Sequence, residues 1–145
     1  MSPNEAAAGA VMMMSQEMLY LFGAVVIMLL LIVIQAASTV LANGIGWGLG
    51  PRDEPAKQDA FAGRAKRTLQ NHVEGLIIFG FAILIVEVAG LNSSLTTMGA
   101  ALFFWARLAY APVYLFGVPV LRTLVWAVSL VGILMVLFAI AATGL

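Results

Sequence analysis

Eight polar residues in an otherwise apolar chain fall at spacings that set them side by side. Arg64, Arg67, Asn71 and Glu74 follow one another at steps of three, four and three, which on a helix is a single face. Arg107, Tyr110 and Tyr114 repeat the pattern at steps of three and four, and Arg122 follows within a short turn, with Thr123 beside it. Guanidiniums with phenols suit an anionic ligand, because arginine offers a forked pair of donors to a carboxylate and tyrosine adds another. Metal chemistry is not indicated. The chain has no cysteine and one histidine, His72, which removes thiolate ligands, disulfides and a cysteine nucleophile together.

Each of these residues also has a plainer reading. Arg64, Arg67 and Arg122 suit interfacial anchors on lipid phosphates, and Tyr110 and Tyr114 suit an aromatic belt. Glu74 and Arg107 lie inside apolar runs and suit a structural pair, with each other or with Arg67. His72, about 100° around the helix from Asn71, reads as a packing or interfacial residue. Glu87 reads as an interface residue, and the Met12–Met14 run as tail.

The elements that must hold these side chains are set by composition. The 145 residues are 63% hydrophobic and 10% charged, whereas soluble domains are roughly a quarter charged. Too few ionisable groups exist to cover a water-exposed surface. Four apolar runs, at about residues 18–41, 68–90, 94–116 and 120–142, are each long enough to cross a hydrocarbon core of ~30 Å as a helix. Their lack of alternation does not suit barrel strands. The expected fold is an all-α integral membrane protein, a four-helix transmembrane bundle in one domain over residues 18–145. Residues 1–17 are expected to be a flexible N-terminal tail. The first run is too long, and its flank too acidic, for a cleaved signal peptide. Glycine-bearing helices and polar faces too large for one small bundle predict self-association.

Charge placement predicts orientation. Five of the seven basic residues lie in the stretch PRDEPAKQDAFAGRAKR, residues 51–67, against three acids. The positive-inside rule puts the loop at about 43–67 in the cytoplasm, with Arg122 on the same side and both termini opposite. A confined basic segment of this kind is no broad face for nucleic acid, which is not expected as a partner.

In order within four spans, the motifs R-x-x-R-x-x-x-N-x-x-E (Arg64, Arg67, Asn71, Glu74) and R-x-x-Y-x-x-x-Y (Arg107, Tyr110, Tyr114), followed by Arg122, resemble MAPEG, the membrane-associated proteins in eicosanoid and glutathione metabolism. The resemblance runs from about Leu19 to Ala142, and its flavour is that of the bacterial branch. It implies a homotrimer in the bacterial inner membrane, holding glutathione as cosubstrate between protomers at the cytoplasmic side, without a metal. By the same resemblance Arg67, Asn71 and Glu74 hold the peptide, Glu74 facing its amino group. Tyr114 belongs to the binding site, and Arg122 stabilises the thiolate. The implied activity is conjugation of the thiol to a lipophilic small molecule, or reduction of lipid hydroperoxides. The alternative is a non-catalytic accessory subunit or lipid-binding scaffold of the same fold. One departure bears on that choice. Glutathione-using members usually carry an arginine at the cytoplasmic end of the first span, and here the first arginine is Arg52, beyond two turn-formers.

Overall fold

The computed structural model describes residues 14–144. They form α1 (Gln16–Asn43), the short α2 (Ile45–Leu49), α3 (Ala60–Ala89), α4 (Ser94–Leu115) and α5 (Pro119–Ala141), with no strand among the described residues. All but α2 are long and apolar enough to cross a membrane. A helix satisfies its own backbone hydrogen bonds, so these four can cross hydrocarbon without cost to the main chain. The protein is an all-helical, multi-pass membrane protein.

Helix starts are fixed by side chains that replace the missing backbone acceptors. Ser15 Oγ accepts from Met18 N at 3.1 Å, and Asp59 Oδ1 from Ala62 N at 2.7 Å. Ser93 and Thr96 cap α4 reciprocally, each side chain accepting from the other's backbone N–H. Pro119 opens α5, where its lack of an N–H costs nothing. Gly90 ends α3 with φ +65°, a left-handed turn that favours glycine.

Two boundaries depart from the sequence expectation. The second span was expected from about residue 68, yet α3 begins at Ala60. Hydropathy registers only the part of a helix that sits in hydrocarbon, and this one continues through the polar stretch after its Asp59 cap. Thirty residues at ~1.5 Å each exceed a ~30 Å core by about 15 Å, so the extra turns stand outside it. The expected loop at 43–67 is correspondingly short, since its two ends are helical. At the other end of the bundle the tail expected over residues 1–17 stops early. Residues 1–13, including Met12 and Met13, lie outside the described residues, and α1 already begins at Gln16. Glu17 is drawn into the bundle and is 2% exposed. Its carboxylate accepts from Thr96 Oγ1 at 2.6 Å and Thr97 Oγ1 at 2.9 Å, which ties the start of α1 to the start of α4.

Inside the bundle Phe79 stacks on Phe103 with centroids 4.0 Å apart, among fully buried Ala24, Ile83, Ala100 and Val136. Apolar side chains such as Phe81 and Phe138 face outward, where lipid is their solvent. Lipid gives helices no hydrophobic reason to associate, so close backbone approach matters more. The α4–α5 crossing achieves it with Gly99 and Gly132. A Cβ on Gly132 would lie 2.6 Å from Gly99 O and 2.7 Å from Phe103 N. Gly132→Ala should therefore lower stability by about 1–3 kcal/mol, the usual cost of overpacking. Gly46→Ala, where a Cβ meets nothing within 4 Å, should not. Thermal unfolding of the two variants in detergent distinguishes them.

Candidate functional site

The site is assembled from α3, α4 and α5 towards the loop end of the bundle, and its centre is a buried cation. Arg107 is 3% exposed and lies about 12 Å along α4 from its end, at ~1.5 Å per residue. A charge at that depth is expensive unless its donors are engaged. Nη1 donates to Asn71 Oδ1 at 2.6 Å. The guanidinium carbon lies 5.4 Å from the Phe103 ring centroid and 5.3 Å from that of Tyr110, where the π faces attract it. The guanidinium packs against Gly75, where a Cβ would stand 3.1 Å from Cζ and drive into Nη2. Nε finds no partner. It is the buried side-chain polar atom left unsatisfied among the described residues.

A second cluster sits one to two turns nearer the helix ends. Arg67 Nε donates to Tyr114 OH at 3.2 Å, and the Arg122 guanidinium carbon lies 4.9 Å from the Tyr114 ring centroid. Tyr114 thus takes an edge contact from one cation and a face contact from another. Its ring is 5.5 Å from that of Tyr110, which links the two clusters. Arg64 belongs to neither. Its Nε donates to Leu115 O at 2.7 Å, a carbonyl at the end of α4 that has lost its helical partner.

Two depressions lie among these elements, lined by residues of both clusters but not by Arg67 or Tyr114. One of about 190 Å³ is lined by Asn71, Glu74, Gly75, Arg107 and Trp126 among others. The other, of about 110 Å³, is lined by Asn71, Tyr110, Arg122, Thr123 and Trp126. They share Asn71 and Trp126, and together they reach the lower edge of the ~300–1,000 Å³ typical of ligand sites. Glu74 is exposed on this surface, and its Oε1 accepts from Gln70 Nε2 at 3.2 Å.

The pairings differ from those the sequence suggested. Arg107 bonds a carboxamide, Arg67 a phenol, and Glu74 the amide one turn before it. A structural pair between Glu74 and either arginine is therefore not what organises the bundle, and the carboxylate is left facing the depression. Seven of the eight residues gather as their spacing implied, with Arg64 turned to the α4 terminus. His72 lies elsewhere on α3, buried, with Nε2 2.9 Å from Ala24 O. A carbonyl only accepts, so Nε2 carries the proton and the ring ties α3 to α1. Glu87 is at the far end, accepting from Ser15 Oγ and from Asn92 Nδ2.

Sequence reasoning missed Gly75 and Trp126. Trp126 stands four residues after Arg122 and so on its face, a signal open to the same spacing argument. Gly75 carried no such signal, because its need arises only from the arginine packed upon it. The donor set suits an anion that also bears an amine. Among the described residues no group of three or more His, Asp or Glu side chains stands ready for a metal ion.

The sequence model of the MAPEG family matches residues 18–142. No curated protein and no solved structure matches the chain.

The Arg107–Asn71 bond makes a direct prediction. Asn71→Leu strands a buried guanidinium and should cost about 2–3 kcal/mol, the scale of a hydrogen bond to a charged group. Asn71→Leu combined with Arg107→Met removes both partners and should recover most of that loss. Unfolding measured in lipid nanodiscs gives the double-mutant cycle. A strictly additive cycle would remove the bond from the account.

Proposed function

The chain belongs to the MAPEG family, a match that spans residues 18–142, and on that footing we propose that it binds glutathione or a closely related anionic thiol. The observation that carries this reading is Arg107, whose one hydrogen bond goes to Asn71 and which lines a depression together with Asn71, Glu74 and, next door, Arg122, its Nη2 without a protein acceptor. A buried charged donor without an acceptor is costly, and a ligand oxygen relieves it. Arg67 and Asn71 hold the peptide, Glu74 meets its amino group, and Tyr114, held between Arg67 and Arg122, belongs to the same site. Arg122 faces the thiol. A free thiol has a pKa of ~8.5, and a guanidinium beside it favours the nucleophilic anion. The reaction in this reading is attack of that thiolate on a lipophilic electrophile, or reduction of a lipid hydroperoxide, drawn from the bilayer.

Exposure of Glu74 on a membrane-spanning face supports assembly. A carboxylate in a transmembrane helix is held against protein or a polar ligand, not lipid. In the proposed homotrimer a neighbouring protomer covers this surface and closes the site. The proposed setting is a bacterial inner membrane with the basic loop cytoplasmic. A second reading, a non-catalytic accessory subunit or lipid-binding scaffold of the same fold, is favoured by one observation. Arg52 does not replace the missing cation at the end of α1, because its Nε and Nη2 both donate to Gly48 O, at 3.3 and 3.0 Å. An accessory or lipid-binding role then keeps the fold but not the reaction.

Calorimetry on detergent-solubilised protein tests the binding. Wild type should bind glutathione, and Glu74→Gln should stay folded while losing at least tenfold in affinity, or ~1.4 kcal/mol. The ultraviolet absorbance of bound thiolate separates the two readings. In the catalytic one the thiol ionises well below its free value, and Arg122→Ala raises its pKa towards ~8.5. Binding without that depression, or no binding at all, favours the accessory or lipid-binding role.

Assembly and orientation are checked separately. Mass measurement in detergent should give three protomers, and a clean monomer would remove the inter-subunit site. A reporter fused after Leu145 should lie outside the cytoplasm, while a protease site beside Lys57 should be cut only from within it.

A further inference from the structure

Spacing sets Arg64 on the ligand face of α3, yet the structure commits it to the turn between α4 and α5. A helix ends in carbonyls that its own later N–H groups do not reach, and in α4 three of the last four are met by the turn itself. Phe116 N donates to Pro112 O at 2.9 Å, Val118 N to Val113 O at 3.1 Å and Gly117 N to Tyr114 O at 3.0 Å. The last two bonds, closed through Gly117 at φ +78°, make a Schellman turn. Leu115 O is the carbonyl left over. Its helical donor would be the N–H of residue 119, and that residue is proline, which has none. Arg64 Nε, 51 residues earlier in the chain, supplies the bond at 2.7 Å.

Gly117 is the second half of the grip. A Cβ there would lie 3.6 Å from Cδ and 3.8 Å from Cζ of Arg64, so the arginine side chain runs along the turn in van der Waals contact. Both ends of the Tyr114–Arg122 contact depend on this turn. Tyr114 directly precedes Leu115, and Arg122 N donates to Val118 O at 3.1 Å, which sets Arg122 in the first turn of α5. That helix has no side-chain cap of its own, since Val118 stands at its N-cap. The contact that locates the Arg122 guanidinium is the Tyr114 ring, 4.9 Å from its carbon. A cation–π contact holds within about 6 Å, so slippage of about 1 Å between α4 and α5 loosens it.

We propose that Arg64 is a positioning residue for the thiol site. It touches no ligand; by gripping Leu115 O and the Gly117 turn it holds Arg122 against Tyr114, where Arg122 faces the thiol. The proposal rests on the reading of Arg122 as the cation beside the thiolate, but the grip itself is tested with no thiol present.

In the full chain carrying ¹⁵N-labelled arginine in lipid nanodiscs, the Arg122 signal, assigned by its loss in Arg122→Lys, carries a ring-current shift from Tyr114. Tyr114→Leu gives its position without the ring. Arg64→Met, which keeps the stem and removes every donor, should move the signal most of the way there, and Arg64→Lys, which keeps one donor group, should move it less. Gly117→Ala strains the same turn without removing a charge and should move it in the same direction. Added glutathione gives the second readout. Arg64→Met should raise the pKa of the bound thiol towards its free value of ~8.5, while affinity changes by less than about threefold. An Arg122 signal unmoved in Arg64→Met, or a bound thiol whose pKa does not rise there, would overturn the assignment. A fall in affinity of about tenfold with that pKa unchanged would make Arg64 a ligand contact instead. A wild type that binds no thiol would sink the thiol reading of Arg122, while its signal still decides the grip. Circular dichroism shows whether each variant keeps its helices, and Gly117→Ala carries both readouts should Arg64→Met lose them.

Discussion

A permanent cation buried among apolar helices must be met by fixed partners, and the way Arg107 is met sets the geometry of this protein's polar side. Its charge cannot be shed, because arginine stays protonated at any physiological pH. Asn71 therefore has to face α4, which fixes the rotation of α3 about its own axis. That rotation carries Arg67 and Glu74 to the same side and sends His72 towards α1, where it bonds Ala24 O. Gly75 is the steric half of the arrangement, since any larger residue would occupy the volume of the guanidinium. Phe103 and Tyr110 supply the rest of the enclosure. Nε is left unpaired in the interior, and Nη2, on a side chain that lines a depression, is left without a protein acceptor. The reading of the protein as a binder of an anionic thiol begins from that unspent donor.

The far end of the bundle is built by opposite chemistry. There Glu17 is buried and satisfied by two threonine hydroxyls, and Glu87 by a serine and an asparagine. These carboxylates have all their bonds within the chain and hold helix starts together. At the loop end, carboxylate and guanidinium donors are left facing a surface. Polar groups that close on themselves at one end and stay open at the other give the bundle a structural pole and a chemical pole.

The four spans and the alignment of the eight polar residues were legible in the sequence, because helical period and hydrophobic length each leave a one-dimensional trace. Partners left no such trace. Opposite charges invited a pairing of Glu74 with Arg107 or Arg67, yet which groups meet depends on helix rotation to within one residue step. Here that rotation brings a carboxamide to Arg107 and a phenol to Arg67. The early start of α3 was hidden because a hydropathy window stops reading where the helix leaves hydrocarbon, while Asp59 goes on capping it. The segment between α1 and α3 was read as loop since its order comes from particular bonds, of Asn43 to Lys57, Trp47 to Glu54 and Arg52 to Gly48, not from any periodicity.

The central claim is that the unspent donor of Arg107 meets a ligand oxygen, and it can be watched directly. In protein carrying ¹⁵N-labelled arginine, the Arg107 Nε–H signal, assigned by its loss in Arg107→Lys, should move progressively as glutathione is added, while that of Arg64, committed to Leu115 O, stays in place. An Arg107 signal unmoved at glutathione saturation, or a shift shared equally by every arginine, would contradict the account.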